Sequence, residues 1–438
     1  MGTLTMAVCI PTYERRDIVE DFLNNCYDTY TAAGIDLYFY DSSMGNDTQT
    51  LIQEWLPKGQ LHYIRLPSDM HPNAKAYKIF QGYGLEKEYD FIFLSADAVI
   101  YLQKDIQRIV EQLNLNFDVI SIDCSNASQK TNRIYKNPDE YMVQCVYNLA
   151  TFGRVILNRR TMLHNVDWER YQREYLTEPI TPWSHVSFYL GRIVEIDSFT
   201  GIDLFLPGAF RISRLKKSMC WSQKFLWNIC EGWVQTIESL PTNYLHKAEA
   251  IREQGERDLP DLFSFLQLKR YGSFNLIDCI KLKKGLQKIT ALSMNKLIAV
   301  SIFPQIALNT FYGLRKKHKV KALKRFCYRH RKIWVYGTGT LGEAFARFLE
   351  ECGIEYAGFC VTNSSELSIH FRNHPVFGIT QLLNTETDIG IIVAMYQKNA
   401  NVVLKGLESE KIRRTDIFYD ISLNNEILFQ YDYFFLRP

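Results

Sequence analysis

Short apolar runs alternate with stretches of helical periodicity through the first third of the chain. Residues 6–10 read as a strand that breaks at Pro11, after which Ile18, Val19, Phe22, Leu23 and Cys26 recur at helical spacing, so a helix begins near Arg16 or Asp17. The cycle repeats: a strand over 36–40 ends in Asp41-Ser42-Ser43, and a helix runs from Asn46 to about Trp55. A third strand over 61–65 leads through PSDMHPN to a helix over 74–82, which carries Lys75 and Lys78 one turn apart. In YDFIFLSADAVI the apolar run 91–94 passes directly into a small polar pair and one carboxylate, Asp97. That is the pattern of a buried parallel strand delivering an acid to the rim of a sheet. A fifth strand over 117–122 closes the series.

Strand, turn and helix in succession define an α/β unit, whose ligands bind at the carboxyl edge of the strands. Asp97 there has two readings, a cap for the helix beginning near Leu102 or a ligand for a metal ion and phosphate. Farther on, LATFGRVILNRRTM reads as a strand and a helix start, and Trp183, Ser184 and His185 open an amphipathic helix. Trp183 suits either a sugar-stacking face or the core. Helical spacing dominates from Arg211 to about Gly255, with a stop at Pro241.

A second α/β unit begins at Lys332, where KIWVYGTGTLGEAF places the GxGxxG glycines Gly337, Gly339 and Gly342 between a strand and a helix. In that context the motif predicts a Rossmann-like domain. Its second strand ends in Cys360-Val361-Thr362-Asn363 rather than the acid that binds a ribose, which argues against NAD. DIGIIVAMY and DIFYDIS supply further strands. The predicted division is 1–215, 216–331 and 332–438, the middle segment being a basic helical piece.

Charge sharpens that division. The net charge is +3, yet 17 Lys plus Arg stand against the single acid Asp278 between Lys269 and Lys332, a balance of +16 that leaves −13 for the rest. An apolar run over 297–314 lies inside this segment but is interrupted by Pro304, Gln305 and Asn309, which argues against a free-standing spanning helix. The basic helices therefore either dock with a solvated face or lie on an anionic membrane surface through 269–332. No nucleic-acid-binding module is evident. Ten cysteines lie singly, without CxxC or His/Cys clustering, and read as reduced, buried thiols. The N-terminus enters a strand at once, without a signal-peptide pattern, so the expected location is cytoplasmic, peripheral at the inner face of the membrane if the basic segment docks there. The 26 Tyr, 27 Phe and 7 Trp are best explained by an aromatic core.

VCIPTYER, YFYDSS, NAKAYKIFQGYG and YDFIFLSADAVI, in that order, resemble the donor-binding half of the family 2 glycosyltransferases. The resemblance covers 6–125 well and 126–215 loosely. It implies a GT-A fold, a single Rossmann-like unit, and transfer of a sugar from a nucleotide-diphosphate donor, expected to be a UDP-sugar, to a glycan or lipid-linked hydroxyl with inversion. Pro11, Thr12, Tyr13 and Arg15 match the family's Pro-Thr-Tyr-Asn-Arg, with Glu14 in place of Asn. Asp41 falls on the acid that recognises uracil or ribose, and Asp97 on the acidic motif that holds Mg2+ or Mn2+ against the diphosphate. Ser95-Ala96-Asp97-Ala98 keeps only one of that motif's acids. Lys75 or Lys78 would add positive charge at the diphosphate. The family's acceptor base is one of an acidic pair before a helix, which is missing here, so His185, Glu178 and Glu174 are the candidates. The last domain resembles the small Rossmann-like modules attached to bacterial glycan-modifying proteins, which makes it a binder of a nucleotide sugar or a partner, or a stabilising unit. Two rivals remain: a bifunctional nucleotidyltransferase and reductase, against which PTYERR lacks a triphosphate-binding glycine loop, and a non-catalytic scaffold.

Overall fold

The computed structural model of the chain describes residues 4–125, 131–176, 180–209, 211–213, 224–362, 370–395, 397–410 and 412–431. They form two compact units. The first comprises Met1–Lys217, Lys224–Leu262 and Ile277–Lys296; the second takes Phe263–Leu276 and Leu297–Pro438. The segment 216–331, expected as a separate piece, is divided between these two units.

The first unit is built on an eight-stranded sheet in the order β3-β2-β1-β4-β8-β6-β9-β7. β1 (Met6–Thr12), β2 (Asp36–Asp41), β3 (Leu61–Arg65) and β4 (Phe91–Leu94) run parallel. Helices α1 (Arg16–Thr31), α2 (Asp47–Trp55) and α3 (Pro72–Phe80) connect them. β1 continues two residues past the break expected at Pro11, pairing Pro11 with Tyr40 and Thr12 with Asp41. Cys9 points its carbonyl at the β4 side, where it accepts from the Ser95 N–H. Pro11, two residues on, faces the same side beyond the end of β4, so its missing N–H costs no ladder bond.

Beyond β4 the sheet departs from the expected series. The two-residue β5 (Val99–Ile100) and helix α4 (Gln103–Leu113) follow. The fifth long strand, β6 (Val119–Asp123), does not pair with β4; the antiparallel β8 (Val155–Asn158) lies between them. β9 (Gly201–Phe205) runs parallel to β6, and β7 (Arg133–Tyr135) closes the edge antiparallel to β9. The carboxyl ends of β1, β2, β4, β6 and β9 consequently share one edge. β10 (Arg211–Ile212), expected to be helical, pairs antiparallel with β5 instead. Under the sheet lies a core that includes Val8, Ile10, Phe22, Phe39, Phe93, Ile106, Ile120 and Ile156, all fully buried.

The second unit carries a six-stranded sheet, β13-β14-β12-β11-β15-β16. β11 (Lys332–Tyr336), β12 (Gly358–Val361), β14 (His374–Gly378), β15 (Ile389–Val393) and β16 (Ile417–Phe418) are parallel, and the short β13 (His370–Phe371) is antiparallel. Two motif glycines are dictated by backbone geometry. Gly337 sits at φ 112°, and a Cβ on Gly342 would stand 2.0 Å from the Gly337 carbonyl oxygen. The helix Thr340–Glu351 can therefore approach the turn only with glycine at position 342. Gly342→Ala should destabilise the second unit by about 1–3 kcal/mol, seen as a lowered thermal midpoint; an unchanged midpoint would mean that the helix moves away at no cost.

Candidate active site

Three loops and one helix meet at the shared edge of the first sheet. At the end of β1, Thr12 is buried; its hydroxyl donates to Asp97 Oδ2 at 2.8 Å, and its carbonyl oxygen accepts from Lys75 Nζ at 2.6 Å. Arg15, the residue immediately before α1, reaches Asp97 Oδ1 at 3.0 Å. Lys75, Thr12, Asp97 and Arg15 are thereby linked in one continuous chain of contacts. Asp97 itself is 1% exposed, whereas the Arg15 side chain is 30% exposed, so the carboxylate is held from beneath and the guanidinium reaches it from the rim. The helix-cap reading of Asp97 does not hold: the residue before α4 is Leu102, and no side chain caps that helix.

Lys75 is carried inward by α3. That helix starts at Pro72, with the His71 ring nitrogen accepting from the Asn73 N–H, and it is pinned to the far side of the site by Asn73, which donates to the Thr181 carbonyl oxygen at 2.8 Å. Burial pushes the Lys75 ammonium down to about 8, against the opposing pull of the Asp41 and Asp97 carboxylates, with the Arg15 charge lowering it further. It also stands 5.7 Å from the centre of the Tyr13 ring, which is partly exposed on the same rim. Lys78, one turn on, is not part of this cluster and lies over the Tyr83 ring at 5.5 Å.

The β1 and β2 loops are tied together by the residue that departs from the family pattern. Glu14 adopts φ 50°, in the left-handed region that Asn tolerates better than most side chains. Its N–H donates to Ser43 Oγ at 2.7 Å, and its carboxylate accepts from the Met44 N–H at 2.6 Å. The replacement of Asn thus keeps the turn and adds a bridge.

Asp41 stands where the resemblance places it but turns inward, and this corrects its expected role. It is fully buried and accepts from the Ser43 N–H at 2.8 Å, the Ser43 hydroxyl at 2.5 Å, the Tyr63 hydroxyl at 2.9 Å and Arg65 at 3.4 Å. A carboxylate offers about four acceptor positions. Asp41 therefore shapes the loop and has none left to read a base. The hydroxyls of the fully buried Ser42, next to Asp41, and Ser95, after β4, have no hydrogen-bond partner among the described residues.

His185 is removed from the acceptor role. Helix α7 (Ser184–Ile193) is buried along its length, among the aromatic rings that account for much of the chain's aromatic excess: Phe188 stacks on Phe80 at 4.9 Å and on Trp168 at 5.3 Å. The His185 ring nitrogen Nδ1 bonds Asn73 Oδ1 at 2.8 Å, Phe152 packs edge-on at 4.6 Å, and burial lowers the imidazole to about 3. It is a neutral residue joining α7 to α3. Trp183 is likewise core, edge-on to Trp233 at 5.4 Å. Glu174, on helix α6 (Trp168–Tyr175), faces Arg170 at 3.9 Å on a half-exposed surface. Glu178 lies outside the described residues.

Sequence reasoning missed Asn73, Ser213 and the β10 strand. Ser213 donates from its N–H to the Ala98 carbonyl oxygen at 2.7 Å and from its hydroxyl to Asp21 at 2.5 Å, holding β10 over the Asp97 loop. The signal for Asn73 was present, since an Asn following His-Pro at a helix start is poised to bond outward; nothing in 211–213 announced a two-residue strand.

As a seat for a divalent ion the site offers one carboxylate. Among the described residues, no group of three or more His, Cys, Asp or Glu converges to hold a metal. Both Asp97 oxygens already accept hydrogen bonds, one from the partly exposed Arg15. The residues present therefore form no metal cage, and an ion would fit only as a complex whose phosphates and waters complete its shell, as Mg2+ commonly binds.

In the second unit the GxGxxG turn is formed as its spacing predicts. The Gly337 N–H donates to the Cys360 carbonyl oxygen at 2.9 Å, and a Cβ on Gly339 would meet nothing within 4 Å. Thr362, after β12, spends its hydroxyl on Tyr336 at 2.7 Å.

No protein-family model matches the chain, and no curated protein sequence matches it. Solved structures do. Residues 1-349 of S. aureus TarS align at 12% identity over 68% of this chain and 90% of that one, with a TM-score of 0.41. A mannosyltransferase from Pyrobaculum calidifontis, in complex with GDP-Man and Mn2+, aligns at 13% identity over 71% and 87%, with a TM-score of 0.38. Glucosyl-3-phosphoglycerate synthase from Mycobacterium tuberculosis aligns at 9% identity over 54% and 81%, with a TM-score of 0.36.

Proposed function

We propose that the protein is a glycosyltransferase that moves a sugar from a nucleoside-diphosphate donor, a UDP-sugar in the first instance, to a hydroxyl of a glycan or lipid-linked acceptor, with inversion. We place it on the cytoplasmic side, in surface polysaccharide or glycoconjugate synthesis. The observation that carries this reading is the Lys75–Thr12–Asp97–Arg15 chain at the carboxyl edge of parallel strands, the place where such sheets bind ligands. Two cations, the buried Lys75 and the partly exposed Arg15, stand on either side of Asp97 and Thr12 there.

Departure of the donor's diphosphate develops negative charge on its oxygens. Lys75 and Arg15 are set to oppose that charge from a site where most of the surroundings are protein, so their fields are stronger than in water. Asp97 keeps Arg15 on the rim and is the residue that would hold Mg2+ or Mn2+; such an ion, when bound with the donor, acts as a Lewis acid on the leaving group. Asp41 and Glu14 keep the two nucleotide-facing loops in register, and Tyr13 borders the rim. With His185 buried and neutral, Glu174 and Glu178 are the remaining candidates for the acceptor base.

The test is a panel of nucleotide sugars offered to the purified chain with Mg2+ or Mn2+, with release of nucleoside diphosphate as the readout. Release from one donor, absent with its competitors, is the expected result. Pyrophosphate formed from a nucleoside triphosphate and a sugar phosphate would assign a nucleotidyltransferase instead, and no thermal stabilisation by any nucleotide would leave a scaffold.

A further inference from the structure

The second unit exposes an apolar elbow on a basic stem. The helices Met294–Ile302 and Gln305–Cys327 meet at an angle of 85° around Phe303 and Pro304, and neither is long and apolar enough to cross a membrane. Six consecutive residues at the corner, 302–307, are exposed, and Ile302, Phe303 and Ile306 are 60%, 45% and 82% exposed. Burying such side chains against their own unit would be favourable. They nevertheless stand in solvent.

The second helix continues the pattern along one face. Leu308, Tyr312, Leu323 and Phe326 turn inward, while Ile306, Phe311 and Leu314 turn outward, followed on the same outward face by Lys317, His318, Lys321 and Arg325. At 1.5 Å per residue the apolar part of that face, 306–314, and the basic part, 317–325, are each about 12 Å long. Lys317, Lys321 and Arg325 make no ion pair with a carboxylate among the described residues, whereas the inward Lys319 pairs with Asp420 at 2.5 Å. Apolar groups at one end and unneutralised cations along the stem match a layer that is apolar inside and anionic at its surface, a division of about 5–10 Å depth in a lipid headgroup region. A nucleic acid would use the stem and leave the elbow without a purpose.

We infer that this elbow docks the protein on an anionic lipid bilayer, with Ile302, Phe303 and Ile306 entering the acyl boundary and Lys317, Lys321 and Arg325 lying at the headgroups. The inference stands on this surface alone and does not depend on the transfer reaction. The experiment is flotation of the full chain with phosphatidylcholine vesicles, with and without phosphatidylserine, in low and high salt and without any donor. Binding to the phosphatidylserine vesicles is expected. The charge reversal Lys317→Glu, Lys321→Glu, Arg325→Glu should weaken it by a hundredfold or more, since each cation near such a surface contributes on the order of fivefold. The separate variant Ile302→Ser, Phe303→Ser, Ile306→Ser should abolish the binding that persists in high salt. All six positions are exposed, and an unchanged circular-dichroism melt confirms that both variants are folded. Failure of the parent chain to float with anionic vesicles would overturn the assignment. So would binding indifferent to both variants. Equal affinity for nucleic acid, lost only on charge reversal, would reassign the stem, and self-association lost in the serine variant would assign the elbow to a second copy of the chain.

Discussion

Replacing Asp97 by Asn should leave the chain folded and lower its turnover of a nucleotide-sugar donor by about 10²–10³-fold, the range seen when one electrostatic contact to a developing charge is removed. Asn retains an oxygen for the Thr12 hydroxyl and much the same volume, so the loop keeps its shape. What disappears is the charge that positions Arg15 and that would anchor a divalent ion. The cost in stability should be on the order of 1 kcal/mol, because Arg15 is partly exposed and can turn to solvent once released. The measurement is nucleoside diphosphate release beside a thermal melt. Turnover within threefold of the parent chain, with an unchanged melt, would place the donor elsewhere.

Lys75→Met should move affinity and stability in opposite directions. Folding lowers the ammonium from 10.5 to about 8, so it is charged at pH 7 and loses its proton as pH rises through about 8. Nucleoside diphosphate binding to the parent chain should accordingly weaken between pH 7 and 9. In Lys75→Met it should be weaker by about tenfold at pH 7 and lack that titration. For stability the sign is reversed. Between about 8 and 10.5 the unfolded chain holds a proton that the folded chain has released, so this residue makes stability rise with pH in that window. Below pH 8 folding bears the full burden of burying the charge. Methionine removes that burden, and the Thr12 carbonyl oxygen still accepts from the Ser42 N–H at 3.3 Å, so the thermal midpoint at pH 7 should hold or rise. Isothermal titration and melts at matched pH values check both halves; a midpoint that falls by several degrees would show that Lys75 is chiefly a structural strut.

The contrast between Lys75 and Lys78 shows how far the sequence could be read. Both lie on one predicted helix, three residues apart, and nothing in their spacing says which faces the sheet edge. Tertiary packing decides it: Asn73 pins α3 to Thr181 and turns position 75 toward Thr12. β1, β2 and β4 were legible because buried parallel strands are largely apolar runs, whereas the partly buried β3, LHYIR, was legible from its place in the strand and helix alternation. The antiparallel β8 was legible as a strand but not as a partner, since pairing between β4 and residues some 60 positions later leaves no local trace. Asp97 was named from its place at a strand end, and Thr12 and Arg15 from the PTYER match; the fold brings the three side chains into contact. His185, named for its titration range, and Asp41, named from its strand-end loop and the resemblance, are both engaged by neighbours, Asn73 and Phe152 for the one, Ser43 and Tyr63 for the other. Exposure and hydrogen-bond saturation, unlike residue type, are not written in one dimension.

The position of β8 also bears on how this sheet is made. During synthesis the parallel strands β3, β2, β1 and β4 can assemble as soon as residue 94 is available, but β4 then offers an unpaired, wholly apolar edge, Phe-Ile-Phe-Leu, until residues 155–158 arrive. Such an edge is a template for pairing with another chain. At ribosomal rates the gap lasts several seconds, so the nascent protein passes through an interval in which an apolar strand edge stands open directly before the Asp97 loop.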